Sequence, residues 1–147
     1  MSSLEIGPHC LDGAGTHVLV WAIQDDPKLK REARTLLDTA TAQGRVLIPA
    51  ISLWEIAMLV EKGRIVLGID VSRWIEQVTA LPGIEIAPLT GPISVESVRL
   101  PGTFHADPAD RMIVATARHH ALPLMTADKA ILAYSAAGHI DTIPALR

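Results

Sequence analysis

Cysteine is almost missing from this 147-residue chain. Cys10 stands alone, so no internal disulfide can form, which fits a reducing cytoplasm. Aromatic residues make up only 3% of the sequence, too few for a broad base-stacking platform. No apolar run approaches the ~20 residues that cross a bilayer. Residues 1–8 lack a basic segment followed by an apolar one, so a cytoplasmic location without membrane attachment is expected. Positive charge is not in excess either: the net charge of −3 does not advertise a nucleic-acid binder. Repeats and low-complexity tracts are absent. What the chain does have is apolar content, 49% of its residues, which argues against disorder and supports a substantial core. The expected organisation is an N-terminal extension over residues 1–8 and one domain over residues 9–147.

Short apolar stretches alternate with helical patterns along the chain. Strands are expected at 9–12, 45–50, 84–89, 122–126 and, at an edge, 140–143. Helices are expected at 16–24, 26–43, 52–62, 71–80, 93–99, 108–120 and 129–136. Asp26-Pro27 looks like a helix start, Ser52 like the cap of the helix that carries Glu55, and Gly44 and Gly63 like helix stops. This alternation predicts an α/β fold, a mainly parallel sheet flanked by helices on both faces. Ligands of such sheets gather beyond the carboxyl ends of the strands.

Four carboxylates fall at that edge: Asp12, Glu55, Asp110 and Asp128. Each has an ordinary structural reading as well. Asp12 could form a turn, Glu55 could close a capping box with Ser52, and Asp128 could cap a helix. Asp107 and Asp110 suit the cap and third position of a helix whose first residue is Pro108. Two placements raise the functional reading. Glu55 is the only charge in Ile51–Val60 and shares a helical face with Ile51, Met58 and Leu59; Asp110 heads the stripe of Ile113, Val114 and Ala117. Ionised carboxylates on apolar stripes are costly, and several together call for a hard divalent cation.

Other candidates carry less. The six histidines have no zinc-like spacing, and Ser52 lacks a Gly-x-Ser-x-Gly setting. Trp21, Trp54 and Trp74 are expected in core or interface packing. Lys28, Lys30, Arg31 and Arg34, and later Arg111, Arg118, His119 and His120, read as solvated helix faces with phosphate contact as the alternative.

Taken in order and spacing, Thr16–Trp21, Ile51–Ala57, Asp107–Ala117 and Leu124–Asp128 resemble the PIN-domain ribonucleases, and most of all the VapC toxins of bacterial toxin–antitoxin pairs. The resemblance runs from about residue 10 to the end of the chain. It implies a three-layer PIN-like fold and an Mg2+- or Mn2+-dependent endoribonuclease acting on RNA, structured RNA such as tRNA included. It also implies a homodimer and inhibition by a cognate VapB-like antitoxin. Glu55, Asp110 and Asp128 fall on the family's acidic positions. The first motif departs from the pattern, because Gly13-Ala14-Gly15 separates Asp12 from Thr16. Two alignments are open. In one, Asp12 is the first acid and three residues are inserted after it; in the other, Gly15 occupies the acid's place and metal binding is impaired.

The expected chemistry is metal-assisted phosphodiester hydrolysis, with Glu55, Asp110 and Asp12 holding Mg2+ or Mn2+ and Asp128 binding or supporting a second ion. Thr16, Ser52 and Thr126 lie beside the acids and are candidates to orient water or phosphate. Asp107 reads as scaffold. A second expectation, motivated by the glycine insertion, is a catalytically degenerate PIN fold that binds RNA or an antitoxin. A third takes Asp12-Gly-Ala-Gly-Thr16 as a phosphate loop of an actin-like fold, disfavoured by the short chain and the lack of a second such loop. Trp54–Val66, with Lys62 and Arg64, is a candidate groove for an amphipathic antitoxin segment.

Overall fold

The computed structural model describes residues 9–11, 17–44 and 46–146. Among them, five strands form one fully parallel sheet. These are β1 (His9–Leu11), β2 (Val46–Pro49), β3 (Ile84–Ala87), β4 (Leu124–Thr126) and β5 (Thr142–Pro144), in the order β3-β2-β1-β4-β5. Seven helices accompany them: α1 (His17–Ile23), α2 (Arg31–Ala42), α3 (Ala50–Glu61), α4 (Val71–Thr79), α5 (Gly91–Val98), α6 (Pro108–His120) and α7 (Lys129–Ala136). The expected α/β class and the edge position of the last strand are both found. Asp12 and the Asp12–Thr16 loop lie outside the described residues, as does the expected N-terminal extension over 1–8.

The period-2 geometry of a strand divides the core in two. On β4, Leu124 and Met125 are both fully buried but enter opposite clusters. On β2, Val46 and Ile48 face the cluster that holds Met125, while Leu47 packs toward the other. Helices α1, α2 and α4 fill the first side with Leu19, Leu37 and Trp74; α5, α6 and α7 fill the second with Ile93, Ile113 and Ile131. Helix α3 sits at the seam, sending Ile56 to the first cluster and Ile51 toward the second. That seam position brings α3 alongside α6, and the candidate site lies between them.

Caps explain why two elements match the expectation residue for residue. Asp107 caps α6 by accepting the Asp110 N–H, and Pro108 takes the first helical position. Asp128 caps α7 by accepting from Ala130 and Ile131. Gly63, at φ 72°, follows the last turn of α3 as expected.

Two expected helix starts are corrected. α2 begins at Arg31 rather than Asp26-Pro27, because Asp26 closes a turn onto Lys28 while Leu29 makes an antiparallel bridge to Leu146. A tertiary pairing there replaces the first helical turn. Ser52 does not cap α3 either. The helix starts at Ala50, directly after β2, so Ser52 lies inside it and Glu55 falls in the second turn rather than the first.

Candidate metal centre

Glu55, Asp107 and Asp110 each present a carboxylate oxygen, and these three oxygens lie within 4.8 Å of one another. Local structure explains the meeting. Ala50–Glu61 leaves the carboxyl end of β2, which sets the early turns of α3 at that edge. Asp110 sits in the first turn of α6, and its own N–H is held by Asp107 Oδ2 at 3.2 Å. A carboxylate has two oxygens, so Asp107 can cap the helix and still contribute to the cluster. Asp107, expected to be scaffold alone, is cap and cluster member together. The signal was present in its spacing, since cap and third position of one helix are neighbours.

The electrostatics are those of crowded, partly desolvated acids. Burial pushes the Glu55 carboxyl up to about 7, and the charges of Asp110, Asp107 and Asp128 push the same way. Burial likewise raises Asp110 to about 6, reinforced by Asp128 and Asp107 and opposed by His105. Glu55 Oε1 is buried and has no hydrogen-bond partner among the described residues. A buried carboxylate oxygen without a donor is expensive. An oxygen-only donor set with an orphaned oxygen and mutual repulsion fits a hard divalent cation.

Of the other expected residues, Asp128 acts on this centre through its charge. Asp128 is half-buried, spends Oδ1 on two backbone N–H groups of α7, and still raises both Glu55 and Asp110. It lies beside the cluster, not among the three. Asp12 and Thr16 are outside the described residues. Thr126 is buried, and its Oγ1 accepts the Asp128 N–H at 3.0 Å, so it orders the turn that carries that acid. Ser52 Oγ is fully buried and unpartnered among the described residues, one turn before Glu55 on the same side of α3.

His105 was not singled out from sequence. Its Nδ1 accepts the Asp107 N–H at 3.3 Å, which leaves Nε2 to donate to Asp110 Oδ2 at 3.2 Å. Arg111 holds the segment that carries it: Nε donates to the Ser97 carbonyl at 2.8 Å, and Nη1 donates to those of Phe104 and His105 at 3.0 and 3.2 Å. The expectation of solvated cations is met in part. Arg118 pairs with Glu96 at 2.7 Å and Arg34 with Asp25 at 3.3 Å, so both have carboxylate partners within the chain.

The PIN domain family matches residues 15–137. The chain belongs to the PIN-domain family. It is 33% identical over 114 residues to Ribonuclease VapC22 of Mycobacterium tuberculosis (strain ATCC 25618 / H37Rv), covering 78% of this chain and 84% of that one. Among solved structures, a DNA-bound VapBC from Salmonella typhimurium aligns with a TM-score of 0.66 and 18% identity, over 94% of this chain and 98% of that one. FitAcB from Neisseria gonorrhoeae aligns at 0.62 and 21% identity, over 92% and 96%. At such identity the structural matches show a shared fold. No helix among the described residues of this PIN domain is long and apolar enough to cross a membrane.

Proposed function

We propose that this PIN domain is a VapC-like endoribonuclease toxin that hydrolyses phosphodiester bonds of RNA with Mg2+ or Mn2+ and is silenced by a VapB-like antitoxin in the cytoplasm. The observation that carries the reading is the Glu55–Asp107–Asp110 group, with Asp110 buried, Glu55 half-buried and Asp107 exposed, each giving a carboxylate oxygen within 4.8 Å of the others; Glu55 also has a buried oxygen without a donor among the described residues. The identity to a named ribonuclease supports the RNA substrate, and the likeness to VapBC and FitAcB assemblies supports an antitoxin partner. A homodimer belongs to the same proposal.

Glu55, Asp107 and Asp110 would hold the cation, with Asp128 and, in the first alignment, Asp12 completing the acidic ring. A bound divalent ion supplies a water of lowered pKa and neutralises charge on the phosphate oxygens. Glu55 and Asp110 must give up their protons to bind it. Asp107 fixes the first turn of α6 and so sets where Asp110 points. His105 holds one Asp110 oxygen and thereby fixes the carboxylate's rotation. By themselves Glu55, Asp107 and Asp110 would repel a phosphate, so these residues would need a bound cation to accept an anionic substrate.

Glu55→Gln and Asp110→Asn test the proposal. Each is expected to lower Mg2+- or Mn2+-dependent cleavage of RNA by at least about 100-fold while the fold is kept. Full activity in either variant refutes the assignment. Wild-type protein that binds RNA or antitoxin yet cuts nothing in Mn2+ supports the degenerate-fold reading instead.

A further inference from the structure

The sequence of α3 is apolar nearly all round, yet the helix is not engulfed. Ile51, Leu53, Met58, Leu59 and Val60 are only half-buried, and Trp54 is 55% exposed. Trp74, by contrast, is 4% exposed and lies in the core, so of the two expected roles, core and interface packing, core packing holds for Trp74 and not for Trp54. An uncovered apolar helix face is unusual and marks contact with something else. Ile51, Trp54, Glu55 and Met58 follow the i, i+3, i+4, i+7 pattern, which puts them on one side of the helix. Facing them are Pro108 and Met112 from the first turns of α6. Together these two helices wall a cavity of about 410 Å3, and Glu55 and Asp107 belong to that wall.

We infer that this cavity is a nucleobase subsite: a base of single-stranded RNA stacks on Trp54 between Met58 and Met112, with its phosphate at the Glu55–Asp107–Asp110 group. The inference rests on the ribonuclease reading above. Continuity with the acidic centre selects this occupant. Ile51, Trp54, Met58, Pro108 and Met112 make the wall mostly apolar, while Glu55 and Asp107 tie it to the acidic centre, so a ligand with an apolar face joined to an anion that seeks the cation suits it. A nucleotide meets both demands. The low aromatic content excludes a multi-base platform; it leaves room for one stacked base, and tryptophan offers the largest face for it.

Binding is measured with octaadenylate in Ca2+, an oxygen-seeking stand-in cation, using wild type, Trp54→Phe and Trp54→Ala. Stacking of one base is worth ~1–3 kcal/mol, so Trp54→Ala is expected to weaken binding about 5- to 150-fold and Trp54→Phe far less. Tryptophan emission should be quenched in wild type and not in Trp54→Phe, which keeps Trp21 and Trp74. An abasic octamer should bind wild type and Trp54→Ala alike. Equal octaadenylate affinity in wild type and Trp54→Ala overturns the subsite, as does sedimentation showing that Trp54→Ala splits a dimer. The two readings fail separately. Quenching without cleavage in Mg2+ leaves the subsite standing and removes the nuclease; cleavage unchanged by Trp54→Ala does the reverse.

Discussion

Neutralising Glu55 should make the metal-free domain more stable while destroying the proposed activity. The fold moves this carboxyl from 4.5 to about 7, chiefly by burial and then by the three neighbouring acids. Between those values the native state holds a proton that the unfolded chain has lost, so stability falls as pH rises through the window. At 1.36 kcal/mol per pH unit the full shift corresponds to about 3.4 kcal/mol. Glu55 is only half-buried and shares its repulsion with Asp110, so solvent screening and coupling reduce the net cost to roughly 2 kcal/mol. Glutamine matches the protonated acid in shape and leaves Oε1 no worse partnered than it is. For a chain of this length Glu55→Gln should therefore raise Tm by about 4–8 °C at pH 8 in EDTA. The gain should vanish near pH 4.5, where wild type is protonated too. Calorimetry of both proteins at the two pH values decides it. A gain absent at pH 8, or equally large at pH 4.5, refutes the reasoning.

Metal binding should compete with protons, so the Mn2+ affinity of wild type is expected to climb as pH rises through about 6 to 7, the values of Asp110 and Glu55. Isothermal titration at pH 5.5 and 8 checks this, and a flat profile contradicts it. Saturating Mn2+ at 100 times its Kd should stabilise wild type by about 2.7 kcal/mol and Glu55→Gln much less, read as the Tm shift. Arg111→Ala removes three donors to the carbonyls of Ser97, Phe104 and His105 and should cost about 2–4 kcal/mol in urea unfolding. Gly83→Ala should cost more than about 2 kcal/mol, because φ is 85° and a Cβ would stand 2.0 Å from the Thr41 carbonyl oxygen. An unfolding midpoint within error of wild type would contradict either expectation.

Elements whose ends are set by local chemistry were legible from sequence. Pro108–His120 and Lys129–Ala136 match residue for residue, since Asp107, Pro108 and Asp128 act on backbone groups within three positions of themselves. Where a distant segment intervenes, sequence signals misled. The Asp26-Pro27 start is displaced because Lys30 N–H is taken by the Ala145 carbonyl at 2.7 Å and Leu29 pairs with Leu146. Ser52 resembled a cap only while the start of α3 was unknown; the helix in fact leaves β2 without a connecting turn.

The sequence by itself determined the α/β alternation, the apolar stripes beneath Glu55 and Asp110, and a family resemblance that the profile match to residues 15–137 bears out. Hydrophobic period and capping act over a few residues, so a linear reading can see them. Tertiary structure alone decided that Asp107 joins Glu55 and Asp110, that Asp128 stands beside them, that His105 grips Asp110, and that Trp54 faces out. The His105 contact depends on the segment that Arg111 holds, and the meeting of Glu55 with Asp107 and Asp110 depends on how closely α3 and α6 approach across the sheet edge. That spacing is fixed by the packing of two separate cores on opposite faces, which no stretch of a few residues encodes.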